Sequence, residues 1–231
     1  MPYIWTLAVF LILYAAVIYL MKYFKNPKVA NPIFVALVLI PYLMLSLTVY
    51  LDVGVYDWNF QNTLPVANVS PFMFTCIPLA LILPKSVKKH FLLLISLLSV
   101  GMLLSSVFGC IYNAAIDYKF HIHFTYDYVS HFTLSLFGIY IIRSKQVTLN
   151  ARNALISSSL IIGSATLMLI LNVIFDTAFF GLSLNGKHNI YNNILHESSY
   201  VSALLYYAGL SVVLSLGYAY SSVFNRKKFN I

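Results

Sequence analysis

The chain has 231 residues, of which 61% are apolar, 16% aromatic and only 9% charged, with a mean hydropathy of +0.84. Soluble domains carry about 25% charged and about 45–50% apolar residues, and disordered chains combine low hydrophobicity with high net charge, so both classes are excluded. The 14 Lys+Arg against 6 Asp+Glu leave a formal charge of +8, whose meaning depends on where those charges sit.

A transmembrane helix takes about 20 mostly apolar residues. Cutting the chain wherever charge interrupts it predicts an all-α, polytopic membrane helix bundle with seven transmembrane helices. They lie near 3–21, 31–51, 63–84, 91–115, 126–142, 153–175 and 198–222. Continuous apolar runs of this length do not read as a membrane barrel, whose strands alternate over about ten residues. No basic residue precedes the first run and the first positive charges follow it, so it reads as an anchor with its N-terminus outside, and not as a cleaved secretion signal.

Basic residues fall in clusters after every second stretch. Lys22, Lys25 and Lys28 follow the first, Lys85, Lys88 and Lys89 the third, Arg143, Lys145 and Arg152 the fifth, and Arg226, Lys227 and Lys228 the seventh. Of the 14 bases only Lys119 and Lys187 lie opposite. The positive-inside rule makes the rich side cytoplasmic, with the N-terminus outside, the C-terminus inside and the protein in the cell membrane. These are short loops meeting anionic headgroups, so the expected partners are membrane lipids, and no nucleic acid is implied. Asp52, Asp57, Asp117, Asp127, Asp176 and Glu197 all fall on the outer side, together with His121, His123, His131, His188 and His196; His90 alone is inner. Short loops and the absence of an internal repeat predict a single integral membrane domain, 1–231. The longest connection, 177–197, holds the turn pair Asn185-Gly186, and its asparagines Asn189, Asn192 and Asn193 suit a cap over the bundle mouth.

The third stretch begins Asn62-Thr63-Leu64-Pro65-Val66-Ala67-Asn68-Val69-Ser70-Pro71, placing Asn68 and Ser70 near its outer side. Pro71 and Pro78 are expected to kink the helix, and proline leaves carbonyls that a cavity or a neighbour must satisfy. Asn68-Val69-Ser70 has the form of a glycosylation sequon, but it lies within a span and Pro71 follows it.

Polar residues inside a span are costly and therefore functional candidates. In the fifth stretch, Thr125 suits an N-cap and Asp127 the first helical turn. Asp127 and His131 are four apart and share a face, and Ser135 and Gly138 continue that stripe inward. A carboxylate beside a histidine fixes its tautomer and raises its basicity, which makes His131 and Asp127 the candidate catalytic pair. Asn68, Ser70, His196 and Glu197 are the candidate binding residues around it. The competing reading is a histidine that only holds the bundle together. His121-Ile122-His123 with Asp127 and His131 has the residue types of a zinc site, but the spacing matches no tight ligand motif, so no metal and no other cofactor is expected. Cys76 and Cys110 read as small buried thiols without a disulfide.

At these residues the chain resembles the YwaF-like bacterial integral membrane family, whose animal relatives include a phospholipid acyltransferase. Leu64-Pro65 with Asn68-Val69-Ser70 is similar to its third-span opening, and Gly101 to its glycine-rich fourth span. Tyr128-Val129-Ser130-His131, with Tyr140 nine residues on, is similar to its fifth, although Asp127 stands where the family has an aromatic residue. The similarity is densest over 60–142. It implies that His131 matches a histidine activating an acyl-carrying cysteine. Here Ala67 occupies the cysteine's place, and Cys76 lies nine residues further on, about 13.5 Å deeper and about 180° round a helix. Ser70, Ser105, Ser106 and Ser130 remain open as alternative nucleophiles. Three functions follow: an outer-leaflet lipid acyl transferase or hydrolase using His131, Asp127 and an Asn68 hydrogen bond; a non-catalytic lipid, acyl-chain or small-ligand binder or membrane-protein assembly partner; and, third, a small-solute transporter, which the lack of duplicated halves disfavours.

Overall fold

The computed structural model describes residues 2–51, 69–115, 122–175 and 199–226. Every regular element among them is helical. Helix α1 (Pro2–Leu20) runs into a 3-10 turn, Met21–Tyr23, and is followed by α2 (Pro27–Tyr50), α3 (Val69–Ile82), α4 (Lys85–Ala115), α5 (Ile122–Arg143), α6 (Ala151–Phe175) and α7 (Ser199–Arg226). Each predicted stretch thus contains one helix. Five of these hold runs long and apolar enough to cross a membrane: Tyr3–Tyr23, Pro27–Thr48, Lys85–Ala115, Ala151–Phe175 and Ala203–Asn225. In α3 the apolar run Phe72–Ile82 is shorter.

Helix α5 is not among the five, for a physical reason. It packs against α4, α2, α1 and α7, and every residue from Leu134 to Ile142 is buried. A helix surrounded by protein need not be apolar all round, so Ser130, His131 and Ser135 are tolerated where lipid would penalise them. The outer helices show the converse, exposing Trp5, Ile12, Leu43, Leu155 and Leu204. Apolar side chains spread over an outer surface are what a hydrocarbon surround favours and water does not.

Close approach of backbones, rather than water-driven collapse, is the usual cement of such bundles. A Cβ added to Gly138 of α5 would lie 2.5 Å from the Ser99 Cβ of α4, and one added to Gly217 of α7 would overlap the Leu97 carbonyl, also of α4. Helix α4 is therefore the shared spine on which α5 and α7 lie.

One end of the bundle is tied by polar contacts between helix ends and connections. Arg143 Nη1 donates to the Ile18 carbonyl at 2.7 Å, and the Tyr140 hydroxyl to the Phe24 carbonyl at 2.9 Å. Asn31 and Gln146 exchange amide hydrogen bonds of 2.7 and 3.1 Å, while Lys145 Nζ reaches the carbonyl and side-chain oxygens of Asn225. All the described Lys and Arg residues gather at this end. Asp127 and Tyr128 lie at the other.

Two local expectations are corrected. Helix α5 begins at Ile122, so Thr125 is not its N-cap and Asp127 lies in its second turn. Pro71 falls in the first turn of α3, where no intrahelical bond is lost, so only Pro78 interrupts that helix; Pro32 and Pro41 do the same in α2.

Candidate functional site

The site is built around one turn of α5. Helical spacing stacks His131 over Asp127, and Nδ1 of His131 lies 2.8 Å from the Asp127 carbonyl oxygen and 3.2 Å from Asp127 Oδ1. A carbonyl oxygen only accepts, so Nδ1 carries the proton and Nε2 is the basic nitrogen of the neutral ring. The Asp127 side chain remains 25% exposed, whereas His131 is buried at 4%. The carboxylate thus sits at the mouth and the imidazole one turn inside.

One aromatic ring lies against the imidazole, and others pack close by on α1, α2 and α5. Phe74 of α3 meets it edge-on, with centroids 5.7 Å apart and planes at 80°, and is itself held against Tyr42 of α2 at 4.4 Å. Phe132 packs on Phe10 and Tyr14 of α1. Nearer the mouth, Asn113 Nδ2 of α4 donates to the Tyr128 hydroxyl at 2.8 Å, and the Tyr128 ring lies over Gly109. One turn below His131, Ser135 shares a 2.7 Å hydrogen bond with the Tyr14 hydroxyl, which lies 3.0 Å from the Tyr220 hydroxyl. No sequence pattern specifies this α5–α1–α7 hydroxyl chain, because it depends on which helices touch. Its one sequence signal was Tyr14 itself, a phenol in mid-span that needs a hydrogen-bond partner when buried.

The serines divide clearly. Ser130 is buried and donates to the Tyr126 carbonyl of its own helix at 2.8 Å, and Ser105 is exposed on α4. Ser106 is buried at 2%, and its hydroxyl has no hydrogen-bond partner among the described residues. Leaving a buried donor unsatisfied costs about 1–3 kcal/mol.

Cys76 does not face the histidine. The α3 residue beside His131 is Phe74, and Cys76, two positions on, lies about 3 Å further along the axis and about 200° round it. Compared with Phe74, rather than with position 67, its depth is close to that of His131, and orientation alone separates them. Cys110 is buried on α4. Asn68, Ala67, His121, His196, Glu197 and the Asn185-Gly186 turn lie outside the described residues. Of Ser70 and His123 only the backbone is described, in the first turns of α3 and α5. Asp127 and His131 are therefore the two proposed site residues seen together. Among the described residues, no three His, Cys, Asp or Glu side chains converge as a metal site would require.

No family model, no curated protein and no solved structure matches the chain.

Proposed function

We propose that the chain is a seven-span protein of the cell membrane that acts on a lipid ester at the outer leaflet, with His131 as general base oriented by Asp127. In this reading the basic end of the bundle is cytoplasmic, the N-terminus lies outside and the C-terminus inside. The observation that carries it is the Asp127–His131 pair, 3.2 Å apart at the end of the bundle away from the bases. A buried imidazole whose Nδ1 is occupied by an acid and a carbonyl is arranged to take a proton at Nε2. The Phe74 ring that lies against it is apolar, which suits an acyl chain better than a polar solute. The YwaF-like resemblance points the same way, and Asn68, Ser70, His196 and Glu197 are assigned to headgroup or oxyanion contacts.

Ala67, at the place of the family's acyl-carrying cysteine, favours a second reading, in which the same end of the bundle binds a lipid or acyl chain without cleaving it or serves an assembly partner. The two separate in one experiment. Purified protein in nanodiscs is incubated with acyl-labelled phospholipid, and acyl release and transfer are followed. The wild type is expected to turn over and His131→Ala to fall by about 10²–10⁴-fold. Equal rates for the two proteins would sink the catalytic reading. Phospholipid recovered bound and unmodified supports the binding one.

A further inference from the structure

We infer that Ser106 of α4 is the nucleophile of this site, its Oγ accepting the acyl group while His131 carries the proton. The inference deepens the lipid-ester reading and rests on it. The packing of α4 on α5 fixes where Ser106 stands. Ser99 meets Gly138, and Gly109 meets Tyr128, so the two helices run antiparallel and each step up one is a step down the other. Ser106 lies seven residues beyond Ser99, and His131 the same seven residues before Gly138. Ser106 is therefore level with His131.

Orientation follows from the same contacts. Positions 99, 106 and 113 recur every seven residues and drift by only about 20° per heptad on a straight helix. Ser99 touches Gly138 and Asn113 bonds Tyr128, so the whole strip, Ser106 included, faces α5. Serines earlier on α4 are already engaged with backbone, Ser96 donating to the Leu92 carbonyl at 3.0 Å and Ser99 to the Ser96 carbonyl at 2.7 Å. Ser106 makes no such bond and is 2% exposed. A buried hydroxyl with no hydrogen-bond partner among the described residues, level with an acid-oriented imidazole, has the residue types of a serine–histidine–aspartate arrangement, whose serine–histidine bond in free enzymes is often long and tightens with substrate.

The chemistry balances with a phospholipid ester and water or a second lipid alcohol as reactants. Ser106 Oγ attacks the ester carbonyl carbon as Nε2 of His131 takes its proton. The tetrahedral intermediate collapses, the carbon–oxygen bond to the glycerol breaks, and the imidazolium returns the proton to the departing alkoxide. Water or the alcohol then attacks the acyl-serine, its proton passing through Nε2 to Ser106 Oγ. Asp127 stabilises the imidazolium in both halves.

The test uses a long-chain alkyl fluorophosphonate on the full-length protein in nanodiscs, with peptide mass mapping, and acyl release from labelled phospholipid measured alongside. The wild type is expected to carry the phosphonate on Ser106, His131→Ala to label at least about ten-fold more slowly, and Ser106→Ala to be unlabelled and inactive at a melting temperature no lower than the wild type's, since it removes an unsatisfied buried hydroxyl. Because the label is mapped on the wild type, the result does not depend on how the variant folds. Modification of a different serine, or undiminished acyl release by Ser106→Ala, overturns Ser106 as nucleophile and leaves the lipid-ester reading standing. A wild type with neither labelling nor acyl release overturns both.

Discussion

His131 Nδ1 touches Asp127 twice, once at the backbone carbonyl oxygen, 2.8 Å away, and once at the carboxylate, 3.2 Å away. The two contacts do different things. The carbonyl can only accept and so fixes the tautomer, while the carboxylate supplies charge that stabilises the imidazolium. Asp127→Asn removes the charge and keeps the carbonyl, so the ring stays oriented. Acyl release is expected to fall by about ten-fold or somewhat more, short of the roughly 10²–10⁴-fold loss for His131→Ala. Initial rates on labelled phospholipid check this ordering. Equal losses for the two variants would mean that the charge, not the ring's placement, governs the site.

Gly217 and Gly209 lie on the same helix and should respond oppositely to alanine. A Cβ at Gly217 would overlap the Leu97 carbonyl, which is backbone and cannot swing aside, whereas nothing lies within 4 Å of one at Gly209. Gly217→Ala is expected to destabilise by about 1–3 kcal/mol through overpacking. Gly209→Ala should be neutral or stabilising by up to about 1 kcal/mol, because alanine has the better helix propensity. Thermal unfolding in detergent of the two variants beside the wild type measures the difference.

The sequence made the helices legible because apolar runs between charge clusters are a one-dimensional signal. It made Asp127 and His131 legible because a four-residue spacing stacks side chains on one face. Three things were not legible for a common reason. The central position of α5, the level of Ser106 against His131 and the Ser135–Tyr14–Tyr220 chain all depend on which helices touch. Hydropathy ranks α5 as a poor span because it cannot distinguish a helix sheltered by protein from one facing lipid. Ser106 could be named as one serine among four, but only the Ser99–Gly138 and Gly109–Tyr128 contacts set its register. Helix α5 starting at Ile122 instead of after Thr125 is a smaller miss, since a weak capping signal does not stop a helix that its neighbours hold.

The Tyr14 hydroxyl links α1 to α5 and α7, at 2.7 Å to Ser135 and 3.0 Å to Tyr220. Hydrogen bonds between membrane helices average about 0.6 kcal/mol in double-mutant cycles and reach about 1.7 kcal/mol. Tyr14→Phe keeps the ring against Phe132 and removes both bonds, so a loss of about 1–2 kcal/mol is expected. A cycle with Ser135→Ala, read by unfolding in mixed micelles, should return a coupling of about 0.6 kcal/mol or more. Zero coupling would mean that Ser135 bonds its own helix as readily as it bonds Tyr14.

Sidedness is testable because both native thiols, Cys76 and Cys110, are buried, leaving the wild type nearly silent to a membrane-impermeant maleimide. Lys25→Cys, in the connection between α1 and α2 and exposed at the basic end, is expected to label only after permeabilisation. Lys119→Cys, in the segment between α4 and α5, should label on intact cells. Opposite sides for the two require an odd number of crossings between residues 25 and 119, as α2, α3 and α4 together supply. If α3, with its short apolar run Phe72–Ile82, did not cross, the two cysteines would label from the same side and the seven-span count would fall. If the sides were reversed, the count would stand, Asp127 and His131 would open to the cytoplasm, and the ester acted upon would belong to the inner leaflet.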